Sequence, residues 1–180
     1  NDYYLVRCVK LGGSLTALCL ETGAILGNDN FESIDVLKRI GLSLGIAGQM
    51  VNDIADFIIL PDNQAAQNTY KDQFSDIVNG KITYPLFYAI KNGDELGKRK
   101  ILDILNNSYR LDSETKEFII KYLIKTSAIN NTKMIILRYY KSLKKEIKKI
   151  PPSYARNLLS LSFSSLLTNK YFATIRKYIK

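Results

Sequence analysis

Apolar residues recur every three or four positions along most of the chain, which is the period of an amphipathic α-helix. No stretch shows the strict alternation of apolar and polar residues that is typical of a half-buried strand. The chain shows neither an internal repeat nor a second domain, so we expect one all-α domain over residues 1–180. The pattern predicts helices over residues 2–26 and 32–60, from near Pro85, and over 94–107, 112–125, 127–149 and 152–168.

The second predicted helix carries a stripe of polar side chains in an otherwise apolar sequence. Gln49, Asp53 and Asp56 are spaced i, i+4 and i+7, so they lie on one face. Ionised carboxylates in an apolar helix are costly unless they are paired, hydrogen-bonded or bound to a cation. Oxygen ligands of this kind suit Mg²⁺, which takes one or two protein carboxylates and leaves its other positions to water and phosphate. The stripe is therefore a candidate Mg²⁺ site.

Glycines interrupt both of the first two predicted helices. Gly41, Gly45 and Gly48 lie three and four residues apart, and each costs about 1 kcal/mol of helix stability relative to Ala. We expect this cost to be offset by the close approach of another backbone or of a ligand. The pair Gly12-Gly13 leaves two interpretations open, a kink in the first helix or a ligand-approach role.

Residues 61–80 are polar and are predicted to form a loop. A loop of this length inside a compact domain is usually functional or disordered. Lys71 and Lys81 lie within and just after it, and a lysine on a mobile loop is a compact charge for a phosphate. A loop that closes over a charged substrate also excludes water. We therefore interpret residues 61–80 as a candidate active-site loop.

Composition excludes several classes of function and indicates a cellular compartment. The chain has no histidine, which removes histidine-based acid–base catalysis, histidine-type zinc sites and the usual triads. No unbroken apolar run reaches the ~18 residues that span a bilayer, and no signal peptide is visible. Cys8 and Cys19 would lie roughly 16 Å apart along one helix, too far for a mutual disulfide. We expect reduced thiols and a cytoplasmic location.

The net charge of +9 is distributed unevenly along the chain. Residues 1–90 carry 6 basic and 10 acidic side chains, whereas residues 91–180 carry 20 basic and 7 acidic ones. A basic half of this kind could face an anionic membrane, a nucleic acid or an acidic partner. We favour a solvated face, and no aromatic-rich signature accompanies the charge, so no nucleic-acid partner is expected.

Four segments together resemble a known family. Residues 49–57 are similar to the second aspartate-rich motif of the trans-isoprenyl diphosphate synthases, FQxxDDxxDF. Residues 71–76 and the stretch Gly80-Lys81-x-Thr83-x-Pro85-Leu86 resemble the next landmarks of that family, in order and at the right distances. Gly13-Ser14-Leu15 with Gly23-Ala24 is similar to its KTGxL…GA helix. The resemblance covers roughly residues 3–105 and identifies the chain as a C-terminal portion.

The resemblance implies the C-terminal part of an isoprenoid-synthase-type helical bundle around a central cavity. It also implies an enzyme in which Mg²⁺ holds an allylic diphosphate, the C–O bond ionises, and isopentenyl diphosphate attacks the cation. Carried over by position, Asp53 and Asp56 become the metal ligands and, with Lys71, the catalytic residues. The implied substrate-binding residues are Gln49, Asn52, Lys71 and Lys81, although Lys81 together with Asp76 is also suited to shaping the loop.

The chain departs from the family pattern at several positions. Asn52 stands where the family has the first aspartate of the motif, and Gly48 replaces the phenylalanine. Lys10 lies one residue away from the family's lysine, about 100° around a helix, unless the glycine pair loosens that helix. The first aspartate-rich motif is absent. We therefore expect the chain alone to be inactive, and its active site to be completed by a missing N-terminal half or a second chain, as a homo- or heterodimer.

Two further functions remain open from the sequence. Bacterial competence-pheromone isoprenyl transferases, which prenylate a tryptophan of a peptide, are similar at Gly13-Ser14-Leu15 and at residues 46–49. In that case the basic half is a candidate peptide-facing surface. The other alternative is a binding or regulatory subunit that keeps the fold without turnover.

Overall fold

The computed structural model describes residues 2–27, 31–57, 73–107 and 110–168 of the chain. Within these ranges every regular element is helical, which confirms the all-α prediction. A π-helical turn, Val9–Gly13, separates the first two α-helices. The α-helices are α1 Asp2–Cys8, α2 Ser14–Leu26, α3 Phe31–Ala55, α4 Ser75–Val78, α5 Tyr84–Asn92, α6 Glu95–Asn107, α7 Ser113–Lys125, α8 Ala128–Ile147 and α9 Tyr154–Thr168.

Two predicted boundaries in the middle of the chain were wrong. Helix α3 ends at Ala55 and not at residue 60, because the chain leaves the helix in a turn at Asp56 and Phe57. The backbone N–H of Phe57 bonds the carbonyl of Ile54 at 3.0 Å, a shorter-range bond that closes the last turn. The predicted loop over 61–80 contains a helix, α4, at its end. The remainder of that prediction, residues 61–72, lies outside the described residues.

The glycine pair of the first helical stretch lies in the π-helical turn. The backbone N–H of Ser14 bonds the carbonyl of Val9, which is the five-residue bond of a π turn. A Cβ atom placed on Gly12 would lie 3.0 Å from the carbonyl oxygen of Gly45, and one on Gly13 would lie 3.0 Å from a methyl of Leu42. Packing against α3 thus accounts for the pair.

The same packing between the two helical stretches explains two of the three glycines of α3. A Cβ on Gly41 would lie 2.5 Å from the Cα of Ala17, and one on Gly45 would lie 2.7 Å from the Cα of Gly13. The prediction that these two glycines admit another backbone is confirmed. At Gly48 an added Cβ meets no described atom within 4 Å, so no described backbone packs there and the approach of a ligand stays a prediction.

The described residues form two compact units. One unit contains the described residues up to Val51 together with those from Ile135 to Thr168, and its buried residues include Val36, Ile40, Leu143 and Ile147. The other unit runs from Asn52 to Met134 and contains the end of α3, helices α4 to α7 and the start of α8. Its core consists of Phe57, Phe74, Ile77, Leu86, Ala89, Ile101, Ile104, Leu111, Ile119, Tyr122, Leu123 and Ala128.

Candidate functional site

The two aspartates of the polar stripe lie at the end of α3 and are buried. Asp53 is 0% exposed and Asp56 is 1% exposed. Both belong to the unit that begins at Asn52. Buried carboxylates need hydrogen-bond donors, and here the donors come from residues that follow in the chain.

Asp56 holds the start of α4. One carboxylate oxygen accepts a hydrogen bond from the hydroxyl of Ser75 at 3.0 Å, and the other accepts the backbone N–H of Asp76 at 3.1 Å. Its main-chain carbonyl accepts the N–H of Phe74 at 2.9 Å. A helix start leaves N–H groups without intrahelical partners, and a carboxylate there is favourable. Asp56 supplies this cap from a distant part of the sequence.

The residue before α4 adopts a backbone conformation that side chains rarely take. Phe74 has φ 61° and ψ 14°, in the left-handed region. This conformation costs about 1–3 kcal/mol for a residue other than glycine and persists where surrounding contacts determine it. Phe74 is buried and packs edge-to-face on Phe57 at 5.9 Å between ring centroids. The bonds from Asp56 and this ring contact together hold the turn.

Asp53 holds the start of α5 in a similar way. Its carboxylate accepts the backbone N–H of Tyr84 at 3.3 Å. Thr83 occupies the N-cap position, yet its side chain makes no capping bond, and its buried hydroxyl has no partner among the described residues. Pro85 stands in the first turn, where its missing N–H is not needed. Asp53 therefore caps α5, because the side chain of the N-cap residue, Thr83, makes no capping bond.

Lys81 lies in the turn between α4 and α5. Its ammonium group is 3.5 Å from a carboxylate oxygen of Asp76, and its backbone N–H donates to the carbonyl of Asp76 at 2.8 Å. Gly80 before it has φ +65°, which a side chain would strain. These contacts give Lys81 a part in shaping the turn, while its side chain remains 56% exposed.

The remaining predicted residues are placed differently. Asn52 is exposed, one position before the buried Asp53. Gln49 is half-buried on α3. Lys71 lies outside the described residues.

Sequence reasoning missed Ser75, Phe74 and the N–H groups of residues 76 and 84. Backbone donors carry no residue-type signal, so nothing in the sequence marks them directly. The available clue was Thr83-x-Pro85, a pattern that indicates a helix start.

A divalent cation fits this arrangement only in part. Carboxylate oxygens are suitable ligands for a hard cation. However, the carboxylates of Asp53 and Asp56 already accept backbone or hydroxyl donors, and both side chains are shielded from solvent. The described residues contain no group of three or more acidic, cysteine or histidine side chains placed to hold a metal. The two aspartates are therefore suited to supporting a metal site in which other groups supply the remaining ligands of the ion.

The helical architecture is that of the isoprenoid-synthase fold. A decaprenyl diphosphate synthase from Rhodobacter capsulatus matches 93% of this chain with a TM-score of 0.80 and 22% identity, over 50% of its own length. A geranylgeranyl pyrophosphate synthase from Corynebacterium glutamicum, complexed with calcium and isoprenyl diphosphate, matches 93% with a TM-score of 0.76 and 23% identity, also over 50% of its length. At this identity the likeness defines the class of fold, and the fold prediction is confirmed.

The sequence defines the family. The polyprenyl synthetase family model matches residues 1–123, and the chain belongs to that family. A short chain isoprenyl diphosphate synthase from Methanocaldococcus jannaschii is 32% identical over 118 residues, which is 66% of this chain and 35% of the relative. The chain spans about half the length, or less, of the curated relatives it matches. The resemblance to trans-isoprenyl diphosphate synthases is thereby confirmed.

Proposed function

We propose that this chain is the carboxyl-terminal part of a divalent-metal-dependent prenyltransferase that acts on an allylic isoprenyl diphosphate and extends it with isopentenyl diphosphate. One observation supports the proposal most directly. The bonds from Asp53 to Tyr84 and from Asp56 to Ser75 and Asp76 join the segments that resemble the family's landmarks. Segments 20 and 31 residues apart in sequence therefore meet at one place.

In this proposal the two aspartates position the protein segments that surround the metal. By capping α4 and α5 they fix the end of α3 and the turn that carries Lys81. Mg²⁺ would be held by diphosphate oxygens, by water and by the exposed amide of Asn52, and it would neutralise charge on the leaving diphosphate. Direct coordination by Asp53 and Asp56 would use the carboxylate lone pairs that their present donors leave open.

The proposal assigns the diphosphate to lysines and the allylic region to α3. Lys71, and Lys81 once released from Asp76, are point charges suited to phosphate oxygens. Gln49 is proposed to contact the allylic region or the diphosphate, and Asn52 the metal–diphosphate group.

The proposal also includes a partner and a compartment. The missing ligands would come from the half of the fold that this chain does not span, in the same polypeptide or in a second chain of a homo- or heterodimer. A cytoplasmic location is proposed because Cys8 and Cys19 lie eleven residues apart on one helical stretch, too far for a mutual disulfide.

The test is a prenyl-transfer assay on the protein that contains this chain. Farnesyl diphosphate, labelled isopentenyl diphosphate and Mg²⁺ should give longer allylic diphosphates, and EDTA should abolish the product. A parallel reaction offers a tryptophan-containing peptide in place of isopentenyl diphosphate. Product in the peptide reaction alone would reject chain extension, and diphosphate binding without product in either reaction would reject the proposed activity.

A further inference from the structure

The outer side of helix α8 carries a row of positive charges. Arg138, Lys141, Lys145 and Lys148 follow steps of three, four and three residues, so they lie on one side of the helix and of the turn that ends it. All four side chains are exposed. Among the described residues, none of the four has an acidic partner. The row is therefore a set of uncompensated charges on one surface.

The positive charge of this region is not balanced by nearby acidic side chains. Residues 135–168 contain seven basic side chains and one acidic side chain, Glu146. The carboxylate of Glu146 is already 2.7 Å from the ammonium of Lys149 and 3.7 Å from the guanidinium of Arg39 on α3. The pKa of Glu146 lies below its ordinary value, first because Lys149 donates this hydrogen bond. The one acidic group thus leaves the row of cations unneutralised.

Helix α9 exposes large apolar side chains along one side. Tyr154 is 79% exposed, Leu158 is 45% exposed and Leu161 is 66% exposed. Their steps of four and three residues place them on one side of the helix. The inward side is packed separately, since Leu159 contacts the core that includes Leu143. A solvated charged face does not account for these outward apolar side chains.

The turn between α8 and α9 joins the charged row to the apolar side chains. Between Lys148 and Tyr154 only Ile150 is partly buried, and it packs against the core of this unit. The guanidinium of Arg156 donates to the carbonyl of Ile150 at 3.2 Å, which holds the turn against the start of α9. We call the combined surface the basic–apolar surface, and its members are Arg138, Lys141, Lys145, Lys148, Tyr154, Leu158 and Leu161.

The chemistry of this surface distinguishes between possible partners. A protein core is unsuited to the charged row, because burial of unpaired cations is strongly unfavourable. A nucleic acid attracts lysines through its phosphates but offers nothing to exposed leucines. An anionic bilayer accepts both kinds of side chain. Its headgroups attract the ammonium groups, while tyrosine and leucine enter the boundary between headgroups and acyl chains.

We propose that the basic–apolar surface is a peripheral docking site for an anionic lipid bilayer. The helices lie on the membrane and do not cross it, because the opposite sides of α8 and α9 are packed into the protein core. The lysine stems allow the charged ends to reach headgroups while apolar side chains enter more deeply. This inference does not depend on the proposed prenyl transfer.

The test is sedimentation of the protein that contains this chain with lipid vesicles. The vesicles consist of phosphatidylcholine with or without phosphatidylglycerol, and each mixture is measured at low and at high salt. The charge variant is Lys145→Gln/Lys148→Gln. Its matched control is Lys91→Gln/Lys121→Gln, which removes the same charge from exposed positions of α5 and α7.

A second pair of variants tests the apolar contribution. The apolar variant is Leu158→Gln/Leu161→Gln. Its matched control is Leu96→Gln/Ile124→Gln, which changes exposed apolar side chains of α6 and α7. All substituted positions are exposed, so each variant should keep the fold, and thermal unfolding followed by circular dichroism checks this.

We expect binding to vesicles that contain phosphatidylglycerol and little binding to phosphatidylcholine alone. Each lysine near an anionic surface strengthens binding about fivefold, so the charge variant should lower the partition coefficient about 25-fold. The charge control should lower it less than about fivefold. Salt should weaken the binding by screening. The apolar variant should lower it at both salt concentrations, because salt does not screen apolar burial, and the apolar control should not.

Several results would overturn the proposal. They include no binding to phosphatidylglycerol vesicles, equal binding to phosphatidylcholine alone, and equal effects of either variant and its control. Loss of vesicle binding in inorganic phosphate, but not in chloride of the same ionic strength, would assign the lysines to a free phosphate and overturn it.

Other partners are decided by the same proteins. Lysine-dependent binding of single-stranded RNA without vesicle binding would assign the surface to a nucleic acid and overturn the proposal. A dimer that becomes monomeric in the apolar variant, without vesicle binding, would assign it to a second copy and also overturn it. Vesicle binding by a protein without prenyl transfer would support docking and count against the proposed function alone.

Discussion

At the residue scale, the aspartates at the end of α3 show how one side chain can organise several segments. Asp56 accepts three bonds from residues 74–76, through its side chain and its own carbonyl. Asp53 accepts the first N–H of α5. Neither interaction is local in sequence, so each aspartate connects the end of one helix to the start of another.

Removing the Asp56 carboxylate should destabilise the fold. Asp56→Ala leaves the N–H of Asp76 and the hydroxyl of Ser75 without their acceptor in a buried place. We expect the free energy of unfolding to fall by about 1–3 kcal/mol, measured by urea denaturation. Ser75→Ala removes one bond and leaves no buried donor, so it should cost less. Equal stability of Asp56→Ala and wild type would contradict the capping role.

Removing the buried hydroxyl of Thr83 should have the opposite effect on stability. Because this hydroxyl has no partner among the described residues, Thr83→Val should leave stability unchanged or raise it by up to about 1 kcal/mol. Thr132 is the matched control, since it is equally buried and its hydroxyl donates to the carbonyl of Ala128 at 2.7 Å. Thr132→Val should therefore lower the denaturation midpoint. A loss at Thr83 as large as at Thr132 would show that the Thr83 hydroxyl is bonded, for example to water.

At the element scale, the helices are joined by close backbone packing in one unit and by caps and ion pairs in the other. The glycines of α3 distinguish a position needed for packing from one that is not. Gly45 faces the π turn, whereas Gly48 faces open space in the described part of the chain.

Alanine substitutions at these glycines should act in opposite directions. In Gly45→Ala the new methyl would lie 2.7 Å from the Cα of Gly13, so we expect a loss of about 1–3 kcal/mol. In Gly48→Ala the better helix propensity should add up to about 1 kcal/mol. Thermal unfolding of the two variants measures both effects. A stabilising Gly45→Ala would mean that the helices separate without cost.

Asp94, at the junction between α5 and α6, makes the stability of the fold depend on pH. The pKa of Asp94 lies below its ordinary value, first because Lys125 of α7 donates a hydrogen bond at 2.7 Å and then because the N–H of Gly97 does so at 2.8 Å. A lowered pKa in the folded state gives stability that is present above the unfolded value, about 3.9, and is lost as the pH falls through the folded value.

We therefore expect the free energy of unfolding to decline as the pH falls below about 4. Asp94→Asn should flatten this decline, and Lys125→Met should flatten it partly, because the bond from Gly97 remains. The pKa of Lys125 is raised by the same hydrogen bond, so the pair also loses stability at alkaline pH, when Lys125 deprotonates. Urea denaturation at a series of pH values measures the slopes. Parallel curves for wild type and Asp94→Asn would contradict the assignment.

At the scale of the whole molecule, the proposed function makes this chain one part of a diphosphate site. Its buried carboxylates support the site, and its exposed polar side chain at the end of α3 is the neutral Asn52. The family motif that this segment resembles, FQxxDDxxDF, has an aspartate at the position of Asn52. In the same proposal, the ligands of the opposite wall come from the half of the fold that this chain does not span.

Restoring the missing charge should strengthen metal-dependent binding. Asn52→Asp adds an exposed carboxylate, a better Mg²⁺ ligand than an amide. In the protein that contains this chain we expect roughly fivefold tighter Mg²⁺-dependent binding of an allylic diphosphate, since one added charge–charge contact is worth on the order of 1 kcal/mol. Calorimetric titration with and without EDTA measures the change. Unchanged affinity would place the metal away from Asn52.

Helix periodicity, glycine spacing and the family motifs are properties of the sequence. They determined the all-helical class, the family, and, to within about two residues, the start of α5 and the boundaries of α6 to α9. They depend on local spacing, which a single chain displays directly. The early end of α3, helix α4 and the burial of Asp53 and Asp56 were decided by tertiary structure. The donors to these carboxylates are backbone N–H groups 20 and 31 residues away, which no residue type reveals. Likewise, the one-residue offset of Lys10 from the family motif could be read from the sequence, but only the structure shows that the Gly12-Gly13 pair lies in a π turn packed on α3.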